Sequence, residues 1–201
     1  MFLYNSPVSG NCYKVRLLLA HLGIPYERRD LEIVDRSNRD AVLGALNPDL
    51  RIPTIVLDDG RPIAESGAIL WYFGEGTRFV PSDRYDRAKV LQWMFFEQYS
   101  HEPAIAVVRF LVAYSGEAER YASVIERKTA DGYRALDALE AHLGRENGSY
   151  VVGMHMSLAD IALYAYTHVA GEGGFDLAGY PAIRAWLDRV AAEPGHVPID
   201  A

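Results

Sequence analysis

What the chain has little of narrows its class first. Among 201 residues there is a single cysteine, Cys12, so no internal disulfide framework can form, and the composition fits a reducing compartment. No apolar run approaches the ~18 residues that a membrane helix needs, and no charged segment followed by an apolar one marks a leader peptide. The expected location is therefore the cytoplasm, with no membrane partner. The six histidines (His21, His101, His142, His155, His168 and His196) show neither an HExxH pattern nor clustered ligand spacing, so no metal is expected. Positive charge is in deficit: 20 basic residues face 27 acidic ones, and the net charge of −7 argues against a nucleic-acid partner. Long runs of one charge are missing too. With half of its residues apolar, the chain can bury a sizeable core in one large domain or two small ones.

The organising stretch runs from Ser6 to Arg16. Before it, Met1 to Tyr4 reads as a strand; after it, a run with helical spacing ends near Leu22. Val15, Leu18, Leu19 and Leu22 fall on one face, with Lys14, Arg16 and His21 directed elsewhere. Gly23 supplies a stop and Pro25 prevents continuation. A strand that passes through a tight polar turn into a helix points free N–H groups and the positive helix end at that turn, which makes it a seat for an anion. Ser9 offers a hydroxyl there, Gly10 lets the backbone bend, and Asn11 offers an amide. Helix capping is the other role open to Ser9 and Asn11.

Tyr26 to Ile33 contains a second strand, parallel to the first if the helix is a crossover. Ser37 to Leu46 reads as a helix with a narrow apolar face of Ala41, Val42, Ala45 and Leu46, weakened by Gly44. Asn47-Pro48-Asp49-Leu50-Arg51-Ile52-Pro53-Thr54 then leads into a β-branched strand, and Asp58-Asp59-Gly60 is hairpin-turn chemistry before a return strand over Arg61 to Ala64. Pro53 has no N–H to donate, which leaves Ile52 at a strand edge, where a cis bond would let its main chain pair with an extended peptide. An ordinary trans proline at a strand entry is the alternative. Glu65-Ser66-Gly67-Ala68-Ile69 opens a helix. Ser66 and the N–H groups behind it can hold a carboxylate and Glu65 can pair with an amine, a combination that suits the zwitterionic end of an amino acid.

In this order and spacing the residues resemble the glutathione S-transferase family. The carriers are Ser9 before Lys14-Val15-Arg16, Asn47-Pro48 leading to Ile52-Pro53, and Glu65-Ser66-Gly67-Ala68-Ile69 followed by Trp71-Tyr72. The resemblance implies an α/β thioredoxin-like domain at 1–75, a linker at 76–84 and an all-helical domain at 85–201. It implies glutathione as co-substrate: Ile52 pairs with the cysteinyl unit beside a cis Pro53, Glu65 and Ser66 hold the γ-glutamyl end, and Arg39 reaches the glycyl carboxylate. Ser9 matches the catalytic serine of the theta, phi and zeta classes, with Asn11 as a second donor. The Ser9-Gly10-Asn11 turn also resembles the Thr-Pro-Asn turn of the bacterial nu class, whose members reduce disulfides with bound glutathione. The implied activity is attack of the glutathione thiolate on a small electrophile. Disulfide reduction, or a non-catalytic ligand-binding or interaction role, is the alternative. Members of the family are usually two-fold dimers. One departure is Leu50, which stands where the family's loop carries glycine.

The chemistry closes in magnitude. Moving a thiol from about 8.5 to about 6.5 needs roughly 2.7 kcal/mol of preference for the thiolate. A hydrogen bond to a charged group supplies about 1.5–3 kcal/mol and a helix N-terminus about 0.3–2. Ser9 and its helix suffice without a general base. Ser9-Gly10-Asn11-Cys12 is also a CxxC motif lacking its first, attacking cysteine, so Cys12 reads as a small buried residue.

After Gly74-Glu75-Gly76-Thr77 and Pro81-Ser82-Asp83 only helical patterns appear. Val90, Leu91, Met94, Phe95 and Gln98 share one side of a long helix that Pro103 must kink or break. Ile105, Val108, Phe110, Leu111 and Val112 continue it. A further helix carries Tyr121, Val124, Ile125, Leu136, Leu139 and Leu143 and closes at Gly144. Ser157 and Asp160 form a capping box with a Met156–Ile161 staple, a structural role. Pro181 opens the last helix, and 193–201 is a tail. For the second substrate, which the family binds against the first long helix of this half, the candidate wall is Val8, Arg109, Phe110 and Tyr114.

Overall fold

The computed structural model describes residues 1–145 and 149–201. The chain divides into two units, one of residues 1–77 with 194–201 and one of residues 78–193. The tail, which sequence reading places with the helical half, thus belongs to the first unit.

The first unit is a mixed four-stranded sheet with helices. Strands β1 (Phe2–Asn5), β2 (Glu27–Asp30), β3 (Thr54–Val56) and β4 (Pro62–Ala64) lie in the order β2-β1-β3-β4. Helix α1 (Gly10–Leu22) is the crossover that makes β1 and β2 parallel, while β3 pairs antiparallel with both β1 and β4. Leu3 of β1, Ile55 of β3, Val15 and Leu19 of α1 and Ile69 of helix α3 (Ser66–Gly74) form one buried cluster. Gly23 ends α1 at φ +62°, its N–H donating to Ala20 O.

Lys14 and Arg16, off the apolar stripe, are buried as well; α1 is buried around its whole circumference from Cys12 to Leu19. Helix α2 is only Arg39–Leu43, and its inner positions are Arg39, Leu43 and, one turn on, Asn47, while Ala41 and Ala45 face solvent. In both places polar side chains turn inward because main-chain or amide oxygens await them. Asn47 Nδ2 donates to Arg51 O and Thr54 Oγ1, both at 3.1 Å, and Oδ1 accepts from Asp49 N–H at 3.1 Å. Leu50 takes φ +56°, so the loop keeps a left-handed residue where the family carries glycine, and the Ile52–Pro53 bond is cis.

In the second unit, α4 (Arg84–Phe96) runs through a π turn (Glu97–His101) into α5 (Glu102–Ala113). Pro103 neither breaks nor ends this helix. Lacking an N–H and crowding the carbonyl four residues back, it is accommodated by the wider turn, in which Glu102 N–H donates to Glu97 O. The buried stripe is Val90, Trp93, Met94, Glu97 and His101; Phe95 and Gln98, expected on the same side as Val90, are exposed. Helix α6 (Ala122–Arg145) continues through Gly144, read as its stop. Helix α7 (Leu158–Thr167) is buried on every side, and α8 (Pro181–Ala191) packs Ile183, Trp186 and Val190 inward. The Ser157–Asp160 box is present: Asp160 Oδ2 accepts from Ser157 N–H and Oγ–H at 2.8 Å each, and Oδ1 from Val151 N–H at 2.8 Å and Trp186 Nε1 at 2.9 Å. This carboxylate is a buried structural hub. The expected architecture, a thioredoxin-like α/β domain followed by helices, is the observed one.

Candidate functional site

Register places three of the candidate segments at one end of the sheet. Tyr4 of β1, Thr54 of β3 and Ala64 of β4 are cross-strand neighbours. Immediately beyond them lie, respectively, the Ser6–Ser9 loop, the Ile52–Pro53 dipeptide and Glu65-Ser66.

Ser9 is the N-cap of α1. Its Oγ accepts from Cys12 N–H at 3.3 Å, the capping role weighed from the sequence. Capping uses a lone pair and leaves the hydroxyl hydrogen as a donor, so the two readings of Ser9 are compatible. Asn11 lies in the first turn of the helix. Its Oδ1 accepts from Lys14 Nζ at 2.8 Å and from Ser66 Oγ at 3.1 Å, tying the N-terminal ends of α1 and α3 together. With Oδ1 so engaged, any further contact by this amide is made as an N–H donor. Lys14 had no assigned role in the sequence; its signal was the three-residue spacing from Asn11, which puts both on one helix face.

Glu65 stands at φ +68°, an uncommon conformation for a residue with a Cβ, and its exposed carboxylate makes no cap bond to α3. Ser66, buried, directs its hydroxyl to Asn11, so the groups it turns toward a ligand are the main-chain N–H groups at the start of α3. Strand β3 begins at Thr54, which leaves Ile52 outside the ladder.

Arg39 faces inward. It donates from Nη1 to Leu50 O at 3.2 Å and from Nη2 to Glu32 O at 2.7 Å, and it is 4% exposed. Its Nε–H has no protein partner among the described residues, so the guanidinium keeps a donor while holding both carbonyls. Cys12 is completely buried and its thiol is pushed up to about 11, by burial first, with the Ser9 hydrogen bond opposing. It is protonated at neutral pH and is not a nucleophile there.

Of the candidate wall for a second substrate, Val8 is half-buried in the first unit and the other three residues belong to the second. Arg109 and Tyr114 are brought together by Glu172, a residue without any signal in the sequence. Arg109 donates to Glu172 Oε2 from Nε and Nη2 at 2.9 Å each and to Tyr114 OH at 2.8 Å, and Tyr114 OH donates to the same oxygen at 2.9 Å. Burial and this carboxylate raise the Tyr114 phenol above its ordinary range. Phe110 is half-buried, outside that network. A Cβ on Gly173 would come within 3.0 Å of Arg109 N, so the turn carrying Glu172 needs glycine to approach α5.

The comparisons with known proteins agree along the chain. Residues 8–75 match the family profile described as glutathione S-transferase, N-terminal domain, and residues 103–194 match that of the C-terminal domain. A crystal structure of a glutathione S-transferase from Pseudomonas fluorescens [Pf-5] is 50% identical, covers 98% of both chains and superposes with a TM-score of 0.93. A possible glutathione S-transferase from Rhodopseudomonas palustris is 42% identical over all of this chain and 90% of its own, with a TM-score of 0.94. Among curated proteins, the disulfide-bond oxidoreductase YfcG of Escherichia coli is 29% identical over 96% of this chain and 90% of its own.

Proposed function

Because the chain belongs to the glutathione S-transferase family, we propose that it binds glutathione at the end of the sheet where α1 and α3 begin, and that Ser9 favours the glutathione thiolate. The observation that carries this reading is the Ser9 hydroxyl. It caps α1 through a lone pair and sits beside the Cys12 thiol at the positive end of the same helix, where a glutathione sulfur competes for its single hydrogen. Glu65 takes the γ-glutamyl amine, the N–H groups at the start of α3 take the γ-glutamyl carboxylate, and the Ile52 main chain pairs with the cysteinyl unit next to Pro53. Arg39 fixes the Leu50 loop and is assigned to the glycyl carboxylate through its remaining donor.

In the reaction the bound thiol gives its proton to solvent and Ser9 O–H donates to the sulfur. The sulfur then forms a bond to an electrophilic carbon of a small apolar substrate, whose leaving group departs with its electron pair. Val8, in the first unit beside Ser9, is assigned to the recognition of that substrate.

A second reading, reduction of disulfides, draws on the oxidoreductase relative. The bound thiolate attacks one sulfur of a disulfide, a mixed disulfide forms and the other sulfur leaves as thiolate. Cys12, buried with its thiol raised to about 11, takes no part. We assign the working form as a cytoplasmic homodimer; Phe95 and Tyr99, exposed one turn apart, are aromatic side chains of the kind that pair at interfaces.

The test is a calorimetric titration with glutathione, with the ultraviolet absorbance of the thiolate followed across pH. Binding with a depressed thiol pKa supports the transferase. Binding with an ordinary pKa removes the role of Ser9, and no binding overturns the reading.

A further inference from the structure

Arg16 is a buried cation whose acceptors are all neutral. Its Nη1 donates to Asn5 Oδ1 at 2.7 Å and to Ser6 O at 3.0 Å; its Nη2 donates to Pro7 O at 3.0 Å and to Ile199 O. Only 2% of the residue is exposed. A guanidinium is kept out of water at a cost, and it stays there where several fixed oxygens surround it. Here the oxygens come from Asn5 at the end of β1, from Ser6 and Pro7 of the loop that leads to Ser9, and from one residue of the returning tail.

The Ser6 carbonyl is shared. It accepts from Arg16 and, at 3.2 Å, from the N–H of Ser9. The tail is anchored along α1 in its own right: Tyr13 OH donates to Val197 O at 2.7 Å and lies 3.2 Å from His196 Nε2, and His21 Nδ1 lies 3.0 Å from Pro194 O. Gly195, at φ +90°, permits the approach, since a Cβ there would lie 3.1 Å from His21 Nδ1 and 3.3 Å from its Cα. A continuous set of hydrogen bonds therefore runs from Ile199 through Arg16 and Ser6 to the backbone of Ser9.

We propose that Arg16 is a positioning residue for Ser9, and that the tail at 194–201 sets its hold, so that docking of the tail controls how well Ser9 is aimed at the glutathione sulfur. The inference rests on the Ser9 reading given above. Arg16 touches neither glutathione nor the reacting atoms.

The experiment compares four variants with the wild-type chain: Gly195→Val, a chain ended after Pro194, Arg16→Lys and Ser9→Ala. Hydrogen exchange over residues 6–12 reads the loop, calorimetry reads glutathione affinity, and thiolate absorbance with steady-state kinetics reads the chemistry. The two tail variants are expected to raise exchange over 6–12 about tenfold. They should shift the bound thiol toward its free pKa and lower kcat about tenfold, with KM for glutathione within about twofold of wild type. Arg16→Lys should do the same; if it does not fold, the tail variants decide. Folded tail variants with wild-type exchange and a wild-type thiol pKa overturn the proposal while a shifted Ser9→Ala leaves the Ser9 reading standing. Raised exchange with a thiol that is unmoved both in the tail variants and in Ser9→Ala supports the clamp on the loop and overturns its link to the sulfur, because Ser9 itself has then failed.

Discussion

Arg39 donates from Nη1 to the carbonyl oxygen of Leu50 at 3.2 Å, and Leu50 stands in the left-handed region at φ +56°. That region costs a residue with a Cβ about 1–2 kcal/mol. The loop offsets the cost from both sides of the peptide, since Leu50 N–H also donates to Asn47 O at 3.0 Å. Glycine at this place in the family's loop answers a need for positive φ, and leucine meets it where two hydrogen bonds hold it.

Replacing Leu50 by glycine removes that strain but adds about 0.5–1 kcal/mol of unfolded-state entropy and removes a half-buried side chain. The expected net change is within about 1 kcal/mol, with unchanged glutathione affinity. Arg39→Met strands two carbonyl oxygens at about 1–3 kcal/mol each and should cost roughly 2–4 kcal/mol. Urea melts of the two variants separate these cases; equal losses count against Arg39 as the brace.

Ser9→Ala removes both a cap and a donor to sulfur. The cap is worth about 1 kcal/mol of stability. The donor, at about 1.5–3 kcal/mol, corresponds to roughly a 10- to 150-fold fall in conjugating turnover. Glutathione should still bind. Wild-type turnover in this variant would move the donor role to Asn11 or to a main-chain N–H.

Glu65 allows function and strain to be separated. Glu65→Ala keeps the strain of the positive φ and loses the carboxylate, whereas Glu65→Gly keeps the positive φ and loses both the strain and the carboxylate. Both should weaken glutathione binding alike, while the glycine variant melts higher than the alanine one by about 1 kcal/mol. A glycine variant that binds like wild type would remove Glu65 from the γ-glutamyl site.

Cys12 carries a pH signature. Its thiol in the folded chain is raised to about 11 from an ordinary 9.0. Between those values the unfolded chain loses the proton and the folded chain keeps it, so stability falls as pH rises from about 9 to about 11, by an order of 2–3 kcal/mol. Denaturant melts across this range should show a larger loss in the wild type than in Cys12→Ala, where the raised tyrosine phenols still contribute. Alkylation of the native chain near pH 8 should be slow until it is unfolded.

Asp160 accepts four hydrogen bonds at full burial, so Asp160→Ala should cost 3 kcal/mol or more by leaving those donors unpaired. Below the unfolding transition its glutathione affinity should match wild type, which calorimetry reads directly.

Local signals were legible in the chain. Ser9 as a cap, Gly23 as a stop and the Ser157–Asp160 box each depend on residues within one turn of each other, and the structure shows all three. The order of strands and helices followed from the same short-range punctuation. Amphipathic reasoning failed where the inner face is polar: Lys14, Arg16, Arg39 and Asn47 are buried because they serve oxygens that periodicity does not reveal.

What tertiary structure alone decided are the relationships across long stretches of chain. Asn11 and Ser66 are 55 residues apart, Arg109 and Glu172 are 63, and Arg16 and Ile199 are 183. A capping serine announces itself through its neighbours, but which carbonyl satisfies a buried guanidinium depends on where the chain returns. The chemistry-bearing types, Ser9, Glu65 and the Ile52–Pro53 pair, could be named from the sequence. Their placement at one end of one sheet rests on the register of β1, β3 and β4, set by packing Leu3, Ile55 and Ile63 with the α1 helix.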